Sequence, residues 1–184
     1  MPVVPVVTVM PKVPEAPAQG AGPESVLPSG RFAGREAFQG LIRSALATAA
    51  RQGWKQIIFC DASFEDWPLR ERAVVESLQA WAKTGRQLTL LATRYDGVLR
   101  DQARFVTWRR TWGHIIDARQ CKGDDPLDFP SAIWSPEWVL QRLDLTRSTG
   151  VCGGEPDRRV ILRELLNERL RASSPGFPSS ILGL

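Results

Sequence analysis

Few side chains in this chain are placed to do chemistry, and most of them fall in short segments that follow apolar runs. Asp61, Glu65 and Asp66 come directly after KQIIFC (55–60). Carboxylates at a strand end can hold a hard cation such as Mg²⁺, which takes oxygen ligands from loops, so Asp61 and Glu65 are the candidate metal ligands. The plain alternative is that Asp66 caps the helix that follows and Glu65 is solvated, because acids favour helix starts. Arg94 and Asp96 stand in the equivalent place after LTLLA (88–92). On neighbouring strands these residues would face one crevice with Asp61, as a ligand site or as an Arg–Asp pair across it.

Two further groups are candidates. Arg104, Trp108, Arg109, Arg110 and Trp112 interleave positive charge with aromatic rings. This pattern can bind nucleic acid through phosphate contacts and base stacking. The four-residue step from Trp108 to Trp112 equally fits two rings facing a core. His114 is the one histidine, and it is followed by Ile115 and Ile116. It can serve as a lone base or as a structural residue. Gly150, Gly153 and Gly154 precede a helix start, but Glu155 and Asp157 beside them make a poor anion site, so turn geometry is the better account. The candidate ligand-binding set is therefore Asp61, Arg94, Asp96, Arg109 and His114.

The elements that must position these residues follow from periodicity. Phe38, Leu41, Ile42, Ala45, Leu46 and Ala49 mark an amphipathic helix that Gly53 ends. KQIIFC (55–60) is a buried strand. The loop DASFEDWPL leads to a second helix, with Pro68 in its first turn and Asp66 or Trp67 at its cap. That helix buries Leu69, Val74, Val75, Leu78 and Trp81 and stops at Gly85. Leu88–Ala92 is a strand. A third helix carries Val98, Phe105, Trp108 and Trp112, and His114–Ala118 is a third strand. After an acidic loop (123–130), strands are expected over 131–134, 138–145 and 149–152. A last helix opens at Pro156 and carries Val160, Ile161, Leu165, Leu166 and Leu170. Strands alternating with helices predict an α/β domain, a mostly parallel sheet with helices on both faces. Ligands in such sheets sit beyond the carboxyl ends of the strands.

Composition excludes several classes. A length of 184 residues, 43% hydrophobic and 24% charged, suits one globular domain. The net charge is +4, and Arg supplies 20 of the 24 basic residues, which permits nucleic acid or an anionic surface without requiring either. Cys60, Cys121 and Cys152 are widely spaced with no C-x-x-C, so reduced, buried thiols in a cytoplasmic protein are expected, and no cofactor. No run of about 18 apolar residues is present to span a membrane. The N-terminal residues lack a basic start and are broken by Pro2, Pro5 and Pro11, unlike a signal peptide. Residues 1–30 hold seven of the fourteen prolines and no aromatic, and are expected to be a disordered arm of polyproline II character with a net charge of −1. Residues 31–184 form the single domain, with an apolar tail (Phe177, Ile181, Leu182, Leu184) expected to fold back onto the sheet or the first helix.

The run CDASFEDWPL, the segment FVTWRRTW before HIID, and the ending ASSPGFPSSILGL resemble a bacterial domain of unknown function. That domain occurs alone or after some acetyltransferases of the GNAT superfamily, and is similar in fold to half of a phospholipase D-like module. The resemblance spans about residues 35–184. It implies a degenerate half-phospholipase-D-like scaffold. Such modules work through a His-x-Lys pair on a strand after the third parallel strand. The matching stretch here, SAIWSPEWVLQRLD, has neither residue. No Q/R-x-x-G-x-G/A segment is present, so acetyl transfer is not implied. Single-half relatives are completed by dimerisation, which implies a homodimer; the alternative is that the C-terminal tail or the Trp134–Trp138 segment covers the same face within one chain. The expected function is a non-catalytic interaction or regulatory module with an unknown protein partner. The alternatives are a metal-dependent hydrolase or phosphate-handling enzyme, or a nucleic-acid-binding module.

Overall fold

The structure is a computed structural model that describes residues 26–177. Among the described residues, eight strands and five α-helices follow in the order β1 (Gly30–Phe32), α1 (Arg35–Gln52), β2 (Gln56–Cys60), α2 (Arg72–Ala82), β3 (Gln87–Ala92), α3 (Asp96–Asp101), α4 (Ala103–Thr111), β4 (Ile116–Gln120), β5 (Ser131–Trp134), β6 (Val139–Asp144), β7 (Thr149–Gly153), α5 (Pro156–Ala172) and β8 (Ser174–Pro175). All strands join one sheet in the order β1-β7-β6-β5-β2-β3-β4-β8.

The α/β class is as expected, but the sheet is mixed and mostly antiparallel. Only β2–β3 and β3–β4 pair in parallel; the other neighbours are antiparallel. The physical reason lies in the connections. Parallel neighbours need a crossover helix, and α2 and the α3–α4 pair supply two. The links β5–β6 and β6–β7 are too short for any helix, so those strands must turn back as hairpins. Ser135 makes the first turn: its Oγ accepts from the amides of Glu137 (3.2 Å) and Trp138 (2.9 Å).

Both faces of the sheet are covered. Strand alternation sends Ile57, Phe59, Leu88 and Leu90 to one side, where they pack with Phe38, Ile42 and Leu46 of α1 and Leu78 and Trp81 of α2. Ile58, Cys60 and Leu91 point the other way, onto Leu162 and Leu166 of α5. Gly53 ends α1 in the left-handed conformation (φ 66°, ψ 45°), as expected.

Four expectations shift. The second helix begins at Arg72, so Pro68 and Leu69 belong to the loop and Asp66 is not its cap. The third helix is two: Gln102 leaves helical geometry (φ −124°, ψ 49°) and donates from Nε2 to the Phe64 carbonyl at 2.8 Å. The third parallel strand starts at Ile116, because Gly113–Ile115 form a 3₁₀ turn. On α5 the core takes Leu162 and Leu166, while Val160 and Ile161 are 56% and 67% exposed.

The expected arm falls mostly outside the described residues. Its last part is held to the domain: the Pro28 carbonyl accepts from Trp138 Nε1 at 2.9 Å, and Ser29 donates to Glu155. Of the expected tail, Phe177 docks at the β4 edge of the sheet, one of the two places expected, with its ring 4.6 Å from that of Tyr95. Ile181, Leu182 and Leu184 lie outside the described residues.

Candidate functional site

The carboxyl ends of β2 and β3 open into a cavity of about 150 Å³ lined by Asp61, Glu65, Asp66, Arg94, Phe129 and Arg142. Asp61 directly follows β2 and is only 5% exposed. A carboxylate buried so far needs hydrogen bonds and a counter-charge. It has both. Oδ1 accepts from the amides of Ser63 (3.1 Å) and Phe64 (2.8 Å), which pins the turn in which Phe64 takes a positive φ of 57°. Oδ2 accepts from Ser131 Oγ (2.6 Å) and Arg142 Nη2 (3.0 Å).

Arg142 completes the network. Its Nε donates to Ser131 Oγ at 3.1 Å, Nη1 pairs with Asp66 at 3.1 Å, and the guanidinium lies 4.3 Å from the centroid of the Phe38 ring. Asp66 also pairs with Arg35 at 2.9 Å. The cavity floor is thus a charge network running from β2 through β6 to the start of α1.

Of the sequence candidates, Asp61 and Arg94 come together around this cavity, with Glu65 between them. The expected pair across the crevice takes other partners: Asp61 binds Arg142, and Arg94 pairs with Glu65 at 3.6 Å in solvent. Each carboxylate of the expected metal pair, Asp61 and Glu65, therefore faces an arginine. Among the described residues, no cluster of three His, Cys, Asp or Glu side chains is arranged to hold a metal ion. Asp96 is exposed in the first turn of α3 and does not line the cavity.

The remaining two candidates lie elsewhere. Arg109 is buried on α4, where Nη2 donates to the Phe177 carbonyl and the guanidinium stacks 4.0 Å over the Phe177 ring. Burial without a carboxylate lowers its pKa from the ordinary arginine value. His114 is exposed before the amino end of β4, its ring 5.7 Å from Trp112. Asp61 is at the opposite end of the parallel strands, roughly 20 Å further along them at about 3.3 Å per residue. Trp108 is in the core, as one reading of the Arg–Trp segment has it, and Arg104 and Arg110 are exposed. All three thiols are free and buried, and burial pushes their pKa values up, which keeps them protonated.

Sequence reasoning missed Arg142, Ser131 and Ser148, the last 3.5 Å from Arg142 Nη1. One signal was available. In WVLQRLD, alternation puts Trp138, Leu140 and Arg142 on one face, and an arginine on the face of two core residues requires a buried acid.

No protein-family profile and no curated protein matches the sequence. Among solved structures, the fold is similar to TrmBL2, an archaeal chromatin protein described as showing a novel mode of DNA binding. That match has a TM-score of 0.61 at 13% identity and covers 85% of this chain but only 57% of TrmBL2. It is also similar to Nuc from Salmonella typhimurium, a phospholipase D family member, with a TM-score of 0.54 at 13% identity over 82% of this chain and 100% of Nuc. At such identity the likeness is one of fold: an α/β domain with a mixed eight-stranded sheet, built like a phospholipase D-type module.

Proposed function

We propose that the chain is a non-catalytic interaction or regulatory module of the bacterial cytoplasm, built on a half-phospholipase-D-like scaffold of the kind also found after some acetyltransferases. The observation that carries this reading is the state of Asp61. The carboxylate best placed for chemistry at the strand ends spends both oxygens on Arg142, Ser131 and two backbone amides. A general base or metal ligand needs a lone pair directed at its substrate or ion. Here those lone pairs hold the fold together. The test is hydrolysis of bis-p-nitrophenyl phosphate, phospholipid and DNA, with and without Mg²⁺ or Mn²⁺. No turnover is expected above buffer. Turnover that survives purification and disappears in Asp61→Asn would establish the hydrolase instead, and loss in His114→Ala would point to the lone histidine.

A second reading, nucleic-acid binding, has its own support. Arg104 and Arg110 are exposed on α4, and a chromatin protein shares the fold. It requires retention of duplex DNA that weakens steeply between about 50 and 200 mM salt. The replacement Arg104→Ala with Arg110→Ala should then reduce the salt slope by about one to two phosphate contacts.

A further inference from the structure

The cations of this chain are used differently at the two ends of the parallel strands. At the carboxyl end, arginines are spent on carboxylates: Arg35 on Asp66, Arg43 on Glu71, Arg94 on Glu65 and Arg142 on Asp61. The amino end is different. There α1, α2 and α4 lead into β2, β3 and β4. Arg51, Lys55, Lys83, Arg86, Arg110 and His114 stand exposed at these junctions, and none of them forms an ion pair among the described residues.

Cations at helix ends are ordinarily accounted for by the macrodipole, and that suffices for Arg51, Lys83 and Arg110. It does not account for a row across the sheet. Read one residue back from Gln56–Gln87 and two back from Leu88–Ile116, the register sets Lys55, Arg86 and His114 side by side. The row is about 10 Å long at about 4.8 Å between strands. Lys55 Nζ reaches the Thr84 carbonyl at 3.5 Å, and Arg86 Nη1 donates to the same carbonyl and to that of Gly85. Two like charges are thus drawn together on an uncharged acceptor, an arrangement that an anion stabilises.

The row borders an open hollow of about 400 Å³ lined by Arg86, Gln87, His114, Ile115, Ile116 and Asp117. Ile115 and Ile116 are partly exposed, and so is Trp112, whose ring lies 5.7 Å from that of His114. Cations in a row for phosphates, beside apolar and aromatic surface for bases, form the pattern that takes a single nucleic-acid strand. A duplex keeps its bases stacked inside and would use the charges alone. A membrane fits less well, because none of the large exposed hydrophobic side chains among the described residues, such as Leu127 and Ile161, lies on the elements of this edge. The basic stretch ends at β2: further along the same edge, the β5–β6 turn and the start of α5 carry Glu137, Glu155 and Asp157.

We propose that the amino edge of β2–β4 is a binding face for single-stranded nucleic acid, with phosphates on Lys55 and Arg86 and a base in the hollow beside His114. The proposal rests on the second reading above for its ligand class alone; it names a different face from Arg104 and does not depend on Asp61.

The test is fluorescence anisotropy of a labelled thymidine oligomer of about 15 nucleotides, with a duplex of the same length and vesicles containing phosphatidylserine as competitors. The single strand should bind about tenfold more tightly than the duplex at about 50 mM salt, with a log–log salt slope of about −2 to −3, as three or four phosphate contacts give. Lys55→Gln with Arg86→Gln should weaken it about tenfold. Arg51→Gln with Lys83→Gln should weaken it as well, and decides the matter if the first pair lowers the melting temperature. Arg104→Ala, at the far end of α4, should leave it unchanged. No binding of either nucleic acid at about 50 mM salt overturns this proposal together with the nucleic-acid reading. Binding that survives both glutamine pairs overturns this proposal and leaves that reading standing, as does an equal loss in Arg104→Ala. Duplex or vesicles that compete as well as the single strand also overturn it, because charge alone would then be the attraction.

Discussion

At the scale of the residue, the Asp61–Arg142 pair carries the sharpest consequence. Both side chains are under about a tenth exposed, and each is the other's charge partner. Removing one partner of a buried pair leaves the other charge uncompensated, which costs about 3–5 kcal/mol. Arg142→Ala should therefore lower the urea midpoint sharply, and Asp61→Asn should lower it less, because Arg142 keeps Asp66 at 3.1 Å. Arg142→Met with Asp61→Asn should recover part of the loss, because the stranded charge is gone. The Arg43–Glu71 pair is a milder case. Arg43 Nε and Nη2 grip the carboxylate at 2.8 and 2.9 Å, and this hydrogen bonding holds the Glu71 pKa below the usual carboxylate value. A depressed folded-state pKa contributes stability above the unfolded value and loses it as pH falls through the folded value. Both groups are about a third exposed, so Glu71→Gln should cost about 0.5–1 kcal/mol near pH 7. Denaturation midpoints at a series of pH values should show the two proteins converging in acid, below the ordinary glutamate range. A difference that persists there would mean that packing, not charge, is what Glu71 supplies. Asp61 was legible from sequence because it follows an apolar run. Arg142 lies 81 residues away, and only the sheet order brings the two together.

At the scale of the element, what was legible was what local periodicity encodes. The helix starting at Arg35, the strands at Gln56 and Gln87, and the Ser131–Trp134 strand fall where apolar spacing puts them. Boundaries failed where a long-range contact wins. Gln102 breaks the third helix where its buried side chain reaches the Phe64 carbonyl, which also accepts from the Trp67 amide at 3.2 Å. On α5, Val160 and Ile161 look core-facing in sequence, yet the sheet beneath accommodates only the stripe through Leu162 and Leu166. The C-terminal edge is a third such case. β8 pairs two residues with β4, and Phe177 then closes over Tyr95 beneath the Arg109 guanidinium. Truncation after Ser174 removes that ring and should cost about 3 kcal/mol, as loss of a buried Phe does. Phe177→Ala alone should reproduce most of it by thermal melting. Equal melting points for the truncated and intact chains would show that the edge is held by backbone pairing alone.

At the scale of the whole molecule, class and layering were legible while strand direction was not. Alternation of elements predicts helices on both faces, but the two hairpin pairs of β5–β7 match the two crossover pairs, and the long-range antiparallel pairs β1–β7, β2–β5 and β4–β8 tip the sheet. The homodimer implied by the half-module resemblance is a prediction at this scale. Light scattering on a gel-filtration column at micromolar concentration should give twice 20.5 kDa, and a single-chain mass would refute it. One further consequence follows from the pairing of β1 with β7, in which Gly30 faces Cys152. On the ribosome, β1 must wait for about 120 further residues before its partner exists, or roughly 6–24 s at about 5–20 residues per second. β2 and β3, by contrast, can pair as soon as α2 has emerged. The growing chain therefore holds a half-built sheet whose β2 edge stays open until the β5–β7 meander arrives. A ribosome stall placed about 35 residues beyond Gln120, so that β4 but not β5 has cleared the exit tunnel, should yield nascent chains that bind trigger-type chaperones and are cut readily by protease, whereas a stall in a linker added after the chain, far enough on for Ala172 to clear the tunnel, should not.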